Sequence, residues 1–483
     1  MTTLGSEIAA ARLMAPFFGA STVVWANTIA VVLVALSIGY WVGGRLADRH
    51  PHPEGLHLLV LVAAAMLGIV PVVAGPFLSL SVDAFDTYSI GAFAGSLFGV
   101  LALIALPILL LGAASPWAIR LKLANIEHSG QVAGRMYAIS TLGSLLGTFL
   151  SALLLIPLVG TTRTFQTFAL LLALIAVTGL AARWLAGAAA VGALLALPGG
   201  AIKTAPGERV IHEAETEYQY VRVVERDSGE RRLELNEGQA VHSVYRPASV
   251  LTGGIWDEYL VAPLSVLTDP PGRVAILGFA AGTTARAYAR YFPETRIDGV
   301  EIDGELVDIA ERHFALERRP GLRVYVDDAR PFLRRATEAY DAIFMDAYRQ
   351  PYVPFYLATR EFFALARDRL ARGGLVIVNV GHPETSDALE RTLTATLRAV
   401  FPHVVRDPAE ARNTLLIASD VRPSAARLRQ ATTSLSTDLR PLAQRAAERL
   451  APGLDGGEVY TDDWAPVEWL IDSSIIGYAA GEG

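Results

Sequence analysis

The sequence predicts a multi-helix transmembrane domain, followed by a small β-hairpin domain and an α/β domain with a doubly wound sheet. Three observations lead to this fold class. The first 203 residues carry few charges and contain several apolar segments long enough to cross a bilayer. Residues 210–245 alternate between apolar and polar side chains, as in β-hairpins. From residue 273 onward, short apolar runs alternate with helical patterns, as in a parallel sheet.

Charge divides the 483-residue chain into two parts. Residues 1–203 hold 9 of the 41 Lys and Arg and 6 of the 48 Asp and Glu, so residues 204–483 carry a formal charge of −10. We predict a transmembrane domain at 1–203, a β domain at 204–265 and a nucleoside-binding catalytic domain at 266–483. The acidic second part argues against nucleic acid as a partner. The sequence has no cysteine, which excludes disulfides and thiolate chemistry, and its histidines lack metal-ligand spacing, so we expect no metal.

The first part is predicted to be an integral domain of the cell's inner or plasma membrane, with the lipid bilayer as its partner. Its candidate spans are 22–44, 56–78, 90–114, 134–158, 164–182 and a shorter segment, 184–200. The apolar segment 8–20 is too short to span. Gly143, Gly147 and Ser151 recur at helical spacing, which predicts close helix packing. Charged residues are nearly absent deep in the spans, which favours an anchor over a transporter.

Basic residues in two loops predict the orientation of the helices. The loop with Arg45 and Arg49 and the loop with Arg120, Lys122 and Arg135 are expected on the cytoplasmic side, whereas the loop between them carries only acids. If all five predicted spans after the first loop cross the membrane, residue 204 lies outside. If the short segment 184–200 does not cross, residue 204 lies inside. Because the chemistry predicted below uses a cytosolic metabolite, we expect the soluble part to be cytoplasmic.

The second part contains the pattern of a Rossmann-like sheet. Predicted strands are "RVAILG", "RIDGVEID", "LRVYVDD", "DAIFMDA" and "LVIVNV", with helices "TTARAYARYF" and "ELVDIAERHF" and others near 359–370 and 385–400. Residues 421–455 are predicted to form amphipathic helices that pack on the sheet or on a second subunit.

Functional side chains are expected where the parallel strands end, because ligands of such sheets bind at that edge. Gly278 and Gly282 follow the first strand, Glu301 ends the second and Asp328 ends the third. Asp346 follows the fourth strand, in "YDAIFMDAYRQPYVPFY". A nucleoside site is the interpretation that fits all four strand ends. The glycine spacing does not fit the fingerprint of a dinucleotide site, which favours one nucleoside with a sulfonium tail.

The same residues resemble the spermidine synthases, the polyamine aminopropyltransferases. The resemblance covers 210–470 and rests on "TEYQYVRVVE", "LELNEGQ", "VEID", "VDDARPFL" and "YDAIFMDAY" followed by "FYLATREFF". The whole chain is similar to the membrane-fused branch, through "TGGIWDEYLVAPL", "YTDDWAPVEWL" and "GAASPWAIRL". It implies a methyltransferase-type Rossmann-like fold and transfer of an aminopropyl group from decarboxylated S-adenosylmethionine to an amine. It also implies possible assembly into a homo-oligomer.

The resemblance assigns roles to individual residues. Asp346 would be the general base on the attacking amine. The nucleoside would be held by Gln219, Gly278, Gly282, Glu301, Asp328 and Ala329. The acceptor amine would meet Gln239, Asp257, Tyr348, Arg349 and Asp463.

Two departures from the family pattern leave the acceptor open. Ala281 stands where the family has an aspartate for the substrate ammonium, and Arg349 stands where it has a second acid. Losing these acids should weaken binding of a dicationic amine, while Arg349 could select an acceptor with a carboxylate or phosphate. Two alternatives therefore remain: methyl transfer from S-adenosylmethionine, and a non-catalytic transporter or sensor that binds a nucleoside or polyamine.

Overall fold

The structure, a computed structural model, describes residues 1–18, 22–88, 92–123, 129–180, 189, 192, 208–216, 218–235, 241–348, 353–382, 384 and 386–471. It divides into two compact units. The first comprises Met1–Thr204 and Ala214–Tyr220, and the second comprises Ala205–Glu213 and Val221–Gly483. The predicted domain boundaries at 203 and 265 stay predictions.

The first unit is helical. Its helices are α1 (Thr2–Phe18), α2 (Thr22–Arg49), α3 (Pro53–Tyr88), α4 (Ala92–Val100), α5 (Leu106–Lys122), α6 (Ser129–Leu150) and α7 (Ile156–Val177). A π-helical turn, Leu101–Ala105, joins α4 to α5, and another, Ser151–Leu155, joins α6 to α7. Within the described residues, five helical stretches are long and apolar enough to cross a membrane: Val24–Arg49, Pro53–Leu78, Gly95–Lys122, Ser129–Leu155 and Leu158–Val177. The predicted sixth span, 184–200, lies outside the described residues except for 189 and 192.

Small residues let the helices of this unit approach closely. An added Cβ at Gly147 would lie 2.1 Å from the carbonyl oxygen of Met1, so α1 packs directly on the face of α6 that carries the predicted small residues. The Ser151 hydroxyl on that face donates to the Gly5 carbonyl at 3.1 Å. Gly39 of α2 similarly faces the Leu109 carbonyl of α5. Close backbone approach of this kind is typical of helices that pack in lipid, where hydrophobic burial gives little driving force.

Charged residues lie at one end of α2 and α5. Arg120 and Asp48 form an ion pair at 3.1 Å, so the ends of these two helices that carry the predicted cytoplasmic loops lie together. Large apolar side chains elsewhere on the helices are exposed, including Trp41, Tyr137 and Leu158. Exposed apolar faces of this extent need a lipid or protein partner.

The greater part of a four-stranded sheet belongs to the second unit. Its strands are β1 (Glu208–Glu215), β2 (Tyr220–Arg226), β3 (Arg231–Leu235) and β4 (Val241–Tyr245), in the order β1-β2-β3-β4. β2 and β3 form an antiparallel hairpin whose turn contains Gly229 at φ +76°. This agrees with the β-hairpins predicted for residues 210–245.

The remainder of the unit is a doubly wound α/β domain. Its strands are β5 (Arg273–Leu277), β6 (Arg296–Glu301), β7 (Leu322–Val326), β8 (Tyr340–Met345), β9 (Leu370–Gly381), β10 (His403–Glu410), β11 (Asn413–Ser419) and β12 (Ala451–Pro452). They form one sheet in the order β12-β10-β11-β9-β8-β5-β6-β7. The five strands β5 to β9 are parallel, so their carboxyl ends meet at one edge.

Helices cover both faces of this sheet. They are α8 (Ile255–Glu258), α9 (Thr283–Tyr291), α10 (Gly304–His313), α11 (Ala329–Arg335), α12 (Arg360–Asp368), α13 (Ala388–Arg398), α14 (Ala425–Ala431) and α15 (Arg440–Arg449). Alternate residues of β8 enter two separate cores: Phe344 packs with the helices on one face and Ile343 with those on the other. The predicted tail helices are present as α14 and α15.

The sequence pattern did not predict three strands of this sheet. Each of β10, β11 and β12 pairs antiparallel with its neighbours, and together they extend the sheet beyond β9. With them, the order of strands is that of the predicted methyltransferase-type fold.

Candidate functional site

The loop after β5 forms a tight cradle at the carboxyl edge of the sheet. Gly278 and Gly282 adopt φ values of +86° and +73°, and Ala280 between them adopts +47°. A Cβ on Gly278 would lie 2.4 Å from the Asp346 carbonyl oxygen, so the loop and the chain after β8 touch through their backbones. Gly282 then precedes the first turn of α9, whose N–H groups face the same edge.

Glu301, the last residue of β6, is tied to this loop. Its Oε2 accepts a hydrogen bond from the Ala280 N–H at 2.8 Å, and its Oε1 accepts one from the Asp303 N–H at 3.1 Å. Burial raises the pKa of its carboxyl to about 7, while the backbone N–H groups oppose that rise. A carboxylate held here can accept from the hydroxyl groups of a bound sugar.

Asp328 follows β7 and caps α11. One carboxylate oxygen accepts from the Arg330 N–H at 2.9 Å, and the other accepts from the Tyr356 hydroxyl at 2.7 Å. Ala329, the first residue of α11, is buried beside it. The side chain is therefore oriented from both sides at the third strand end.

Asp346 follows β8, and a hydrogen-bond chain crosses the sheet to hold its carboxylate. The Asn379 Nδ2 of β9 donates to Asp346 Oδ1 at 2.7 Å. The Asn413 Nδ2 of β11 donates to Asn379 Oδ1 at 3.0 Å, which fixes the amide orientation that presents Nδ2 to Asp346. The Asp346 N–H donates to the Leu277 carbonyl at 2.8 Å, which fixes the backbone that carries the carboxylate.

Burial raises the pKa of the Asp346 carboxyl to about 6, while Asn379 and the Tyr259 hydroxyl oppose the rise. The group is therefore mostly ionised at neutral pH and titrates just below it. A carboxylate of this kind can pair with an ammonium ion and accept its proton.

Tyr259 is a second group beside this carboxylate. It follows α8, is 1% exposed and packs its ring 4.7 Å from that of Phe344. Its hydroxyl is close enough to Asp346 to favour the ionised carboxylate, yet no described group lies at hydrogen-bonding distance and angle from it.

Several predicted acceptor residues have other partners. The Tyr348 hydroxyl donates to the Asn379 carbonyl at 2.7 Å and accepts from the Gly381 N–H at 2.6 Å. The carboxylate of Asp257 accepts from the N–H groups of Thr252 and Gly253 in its own loop. These bonds explain why each side chain is ordered. Their contact with an acceptor stays a prediction.

Four predicted residues remain: Asp463, Gln219, Gln239 and Arg349. Asp463 is exposed. Gln219 lies in the first unit, in the segment Ala214–Tyr220. Gln239 and Arg349 lie outside the described residues. The roles predicted for all four stay predictions.

The interpretation of the sequence missed Asn379, Asn413 and Tyr259. A signal for the first was present: Asn379 interrupts the apolar run "LVIVNV" and is 5% exposed, and a buried amide in a core strand needs a polar partner. Tyr259 carried no comparable signal, because its position depends on the packing of its ring against Phe344 of β8.

Ala281 has no side chain that could bind an ammonium ion. It is fully buried, and its N–H donates to the Ser243 hydroxyl of β4 at 3.0 Å. Among the residues that the structure describes, no group of three or more histidine or acidic side chains could hold a metal ion.

Comparisons with known proteins indicate the family that the second half of the chain resembles. Residues 256–409 match the family model of the spermine/spermidine synthase domain. The chain is 31% identical over 295 residues to a probable polyamine aminopropyl transferase of Bifidobacterium longum, covering 56% of this chain and 64% of that protein. It is 32% identical over 179 residues to a polyamine aminopropyltransferase of Vibrio vulnificus, covering 36% and 59%. The chain thus spans less than two thirds of the length of these relatives.

A solved structure, that of a probable spermidine synthase from Corynebacterium glutamicum, is similar with a TM-score of 0.44 at 23% identity. The match covers 53% of this chain and 98% of that chain. Through the family match at residues 256–409 and the sequence relatives, the second half of this chain is spermidine synthase-like.

Proposed function

We propose that this protein is a membrane-anchored aminopropyltransferase that moves an aminopropyl group from decarboxylated S-adenosylmethionine to an amine. The observation that carries the proposal is the position of Asp346. Its carboxylate is held by Asn379 at 2.7 Å, and its backbone touches Gly278 of the glycine loop. A base is thereby fixed beside the cradle where the donor's nucleoside would bind.

The donor fits the residues along the sheet edge. The Ala280 N–H of the glycine loop holds the Glu301 carboxylate, Glu301 would accept from the ribose hydroxyls, and Asp328 would accept from the adenine amino group. The strands that carry these groups are neighbours in the order β8-β5-β6-β7. In this arrangement the sulfonium end of the donor would lie near Asp346.

The transfer is a displacement at the propyl carbon bonded to sulfur. The amine nitrogen forms a new bond to that carbon, the carbon–sulfur bond breaks, and its electron pair stays on sulfur, leaving methylthioadenosine. Asp346 would pair with the incoming ammonium, orient its nitrogen and accept the proton that this nitrogen loses. With a pKa of about 6, its carboxyl is ionised at the pH where the amine must be held.

The membrane and the acceptor are parts of the same proposal. The five apolar helical stretches would anchor the enzyme in the bilayer, with the catalytic part on the cytoplasmic side. The acceptor would be a small amine. Because Ala281 offers no carboxylate, we expect an acceptor that does not need a second acid at this position. Assembly into a homo-oligomer belongs to the proposal as well.

A donor comparison tests this function. Purified full-length protein in detergent is incubated with decarboxylated S-adenosylmethionine or with S-adenosylmethionine, each with a panel of mono-, di- and triamines. Release of methylthioadenosine only from the decarboxylated donor, and only with an amine, supports aminopropyl transfer. Release of S-adenosylhomocysteine would instead establish methyl transfer, and donor binding without either product would indicate a non-catalytic binding domain.

A further inference from the structure

A second cleft lies in the α/β unit away from the strand ends that carry Glu301, Asp328 and Asp346. It has a volume of about 590 Å³. It is lined by the end of β4 and the loop after it, by α9, by the segment before β7 and by Asp438, and its arginines are Arg246, Arg286, Arg290 and Arg319. Leu322 begins β7, and Asp328 follows the other end of this strand, where Val326 is the last residue. Leu322 and Val326 are about 13 Å apart along the strand. We call this site the arginine cleft.

Basic side chains outnumber acidic ones in the arginine cleft. The lining contains four arginines against two acids, Glu317 and Asp438. Arg246 is already paired with Glu230 at 2.8 Å, and Asp438 accepts from the Tyr291 hydroxyl at 3.1 Å. The cleft therefore carries an excess of positive charge that its own acids do not balance.

Arg286 is the least compensated of these cations. Its guanidinium carbon lies 4.6 Å from the centre of the Tyr245 ring, a cation–π contact that holds it in the cleft wall. Among the described residues, no carboxylate lies within ion-pair distance of it. Burial lowers the pKa of this guanidinium, as expected for a cation that lacks an anionic partner.

Arg319 is bonded only to neutral groups. Its Nη1 donates to the Pro293 carbonyl at 2.8 Å and its Nη2 to the Thr295 carbonyl at 3.3 Å. Its Nε–H is buried and has no partner among the described residues. Two partly buried guanidinium groups in one cleft thus lack a counter-charge.

We propose that the arginine cleft binds a small metabolite with two or more negatively charged oxygens, of the phosphate or polycarboxylate class, with Arg286 as its main contact. A guanidinium recognises carboxylate and phosphate groups through paired N–H donors. A volume of about 590 Å³ lies in the range of small-molecule sites and is much larger than a single inorganic ion requires. The proposal does not depend on aminopropyl transfer.

Binding measurements on the full-length protein in detergent test this site. Inorganic pyrophosphate and citrate serve as the phosphate and polycarboxylate probes in isothermal titration calorimetry at low salt. We expect at least one probe to bind, and Arg286→Gln to weaken that binding about tenfold or more, since one charge-assisted pair is lost. Binding of pyrophosphate alone would identify the phosphate class, and binding of citrate alone the polycarboxylate class.

Arg318→Gln is the matched control. Arg318 is adjacent to Arg319 in sequence, but its side chain is exposed, pairs with Glu311 at 2.6 Å and does not line the cleft. The Arg318→Gln variant should bind the probe with an affinity within about twofold of that of the unchanged protein, because it alters the net charge by the same amount as Arg286→Gln without altering the cleft. Arg286→Lys, which keeps the charge but loses the paired donors, should bind with intermediate affinity and checks that the site remains folded. Failure of both probes to bind, or equal losses in the Arg286 and Arg318 variants, would overturn the proposal.

Discussion

Replacing Asn379 by leucine tests how the proposed base is tuned. The substitution keeps the size of the side chain but removes the 2.7 Å hydrogen bond from Nδ2 to Asp346. A hydrogen bond to a charged group contributes about 1.5–3 kcal/mol, which corresponds to about one to two pKa units. The pKa of Asp346, about 6 in the unchanged protein, should therefore rise by that amount. Only the ionised carboxylate can hold the ammonium. As the pH is lowered, the variant should therefore lose activity at a higher pH than the unchanged protein does.

The assay is the pH dependence of kcat/KM for methylthioadenosine release. We expect the acid limb to move upward by about one unit or more in Asn379→Leu. Asn413→Leu is the comparison variant: it removes the amide that orients Asn379 but keeps the Asn379 side chain beside Asp346, so it should move the limb by less. Tyr259→Phe should move the limb in the same direction by less, since its hydroxyl is outside hydrogen-bonding geometry.

The same experiment decides which carboxyl controls the acid limb. Burial raises the pKa of Glu301 to about 7, and its partners are the N–H groups of Ala280 and Asp303 rather than Asn379. A limb that belonged to Glu301 would stay in place when Asn379 is changed. An unchanged limb in a folded, active Asn379→Leu protein would refute the assignment of this titration to Asp346.

Three further predictions concern stability and donor binding. Because folding raises the Asp346 pKa from 3.8 to about 6, its contribution to stability is present below pH 3.8 and is lost as the pH rises through 6. Asp346→Asn should therefore stabilise the protein above pH 6. The gain should be at most about 3 kcal/mol, because the side chain is only half-buried. Thermal unfolding of this variant and of the unchanged protein should show a larger gain at pH 8 than at pH 5. Gly278→Ala should lower the unfolding midpoint and abolish transfer, because its Cβ would meet the Asp346 carbonyl at 2.4 Å; Gly373→Ala, at φ +79° with its nearest neighbour at 3.8 Å, should cost only the strain of its backbone conformation. Tyr356→Phe removes the 2.7 Å bond to Asp328 and should raise the donor KM about fivefold with little change in kcat; an unchanged KM would mean that Asp328 does not hold the donor.

The sequence predicted the parts of this fold that depend on local pattern. The apolar runs of β5, β6 and β8 each end in a glycine or an acid, and parallel pairing places those ends at one edge without further information. The long apolar helices were recognisable because a bilayer span requires a continuous apolar segment. The close helix packing at Gly147 followed from the spacing of the small residues.

Tertiary contacts account for what the sequence did not predict. β10 carries polar residues and Pro408, and it becomes a strand because it pairs with β11 and β12 at the edge of the sheet. Asn379 acquires its role only when β9 and β8 align so that its amide meets Asp346. Tyr259 lies beside the same carboxylate because its ring packs on Phe344 of β8, a contact that no local pattern encodes.

The most direct test of the proposed mechanism compares two variants of one strand. Asp346→Asn removes the carboxylate at the carboxyl end of β8, and Asp341→Asn changes an aspartate near its amino end, where the side chain accepts from the Arg273 N–H at 2.9 Å. With decarboxylated S-adenosylmethionine and an amine, methylthioadenosine formation should fall about a hundredfold or more in Asp346→Asn, with donor binding retained, and should be unchanged in Asp341→Asn. Turnover by Asp346→Asn at the rate of the unchanged protein would contradict the role of this carboxylate as the base.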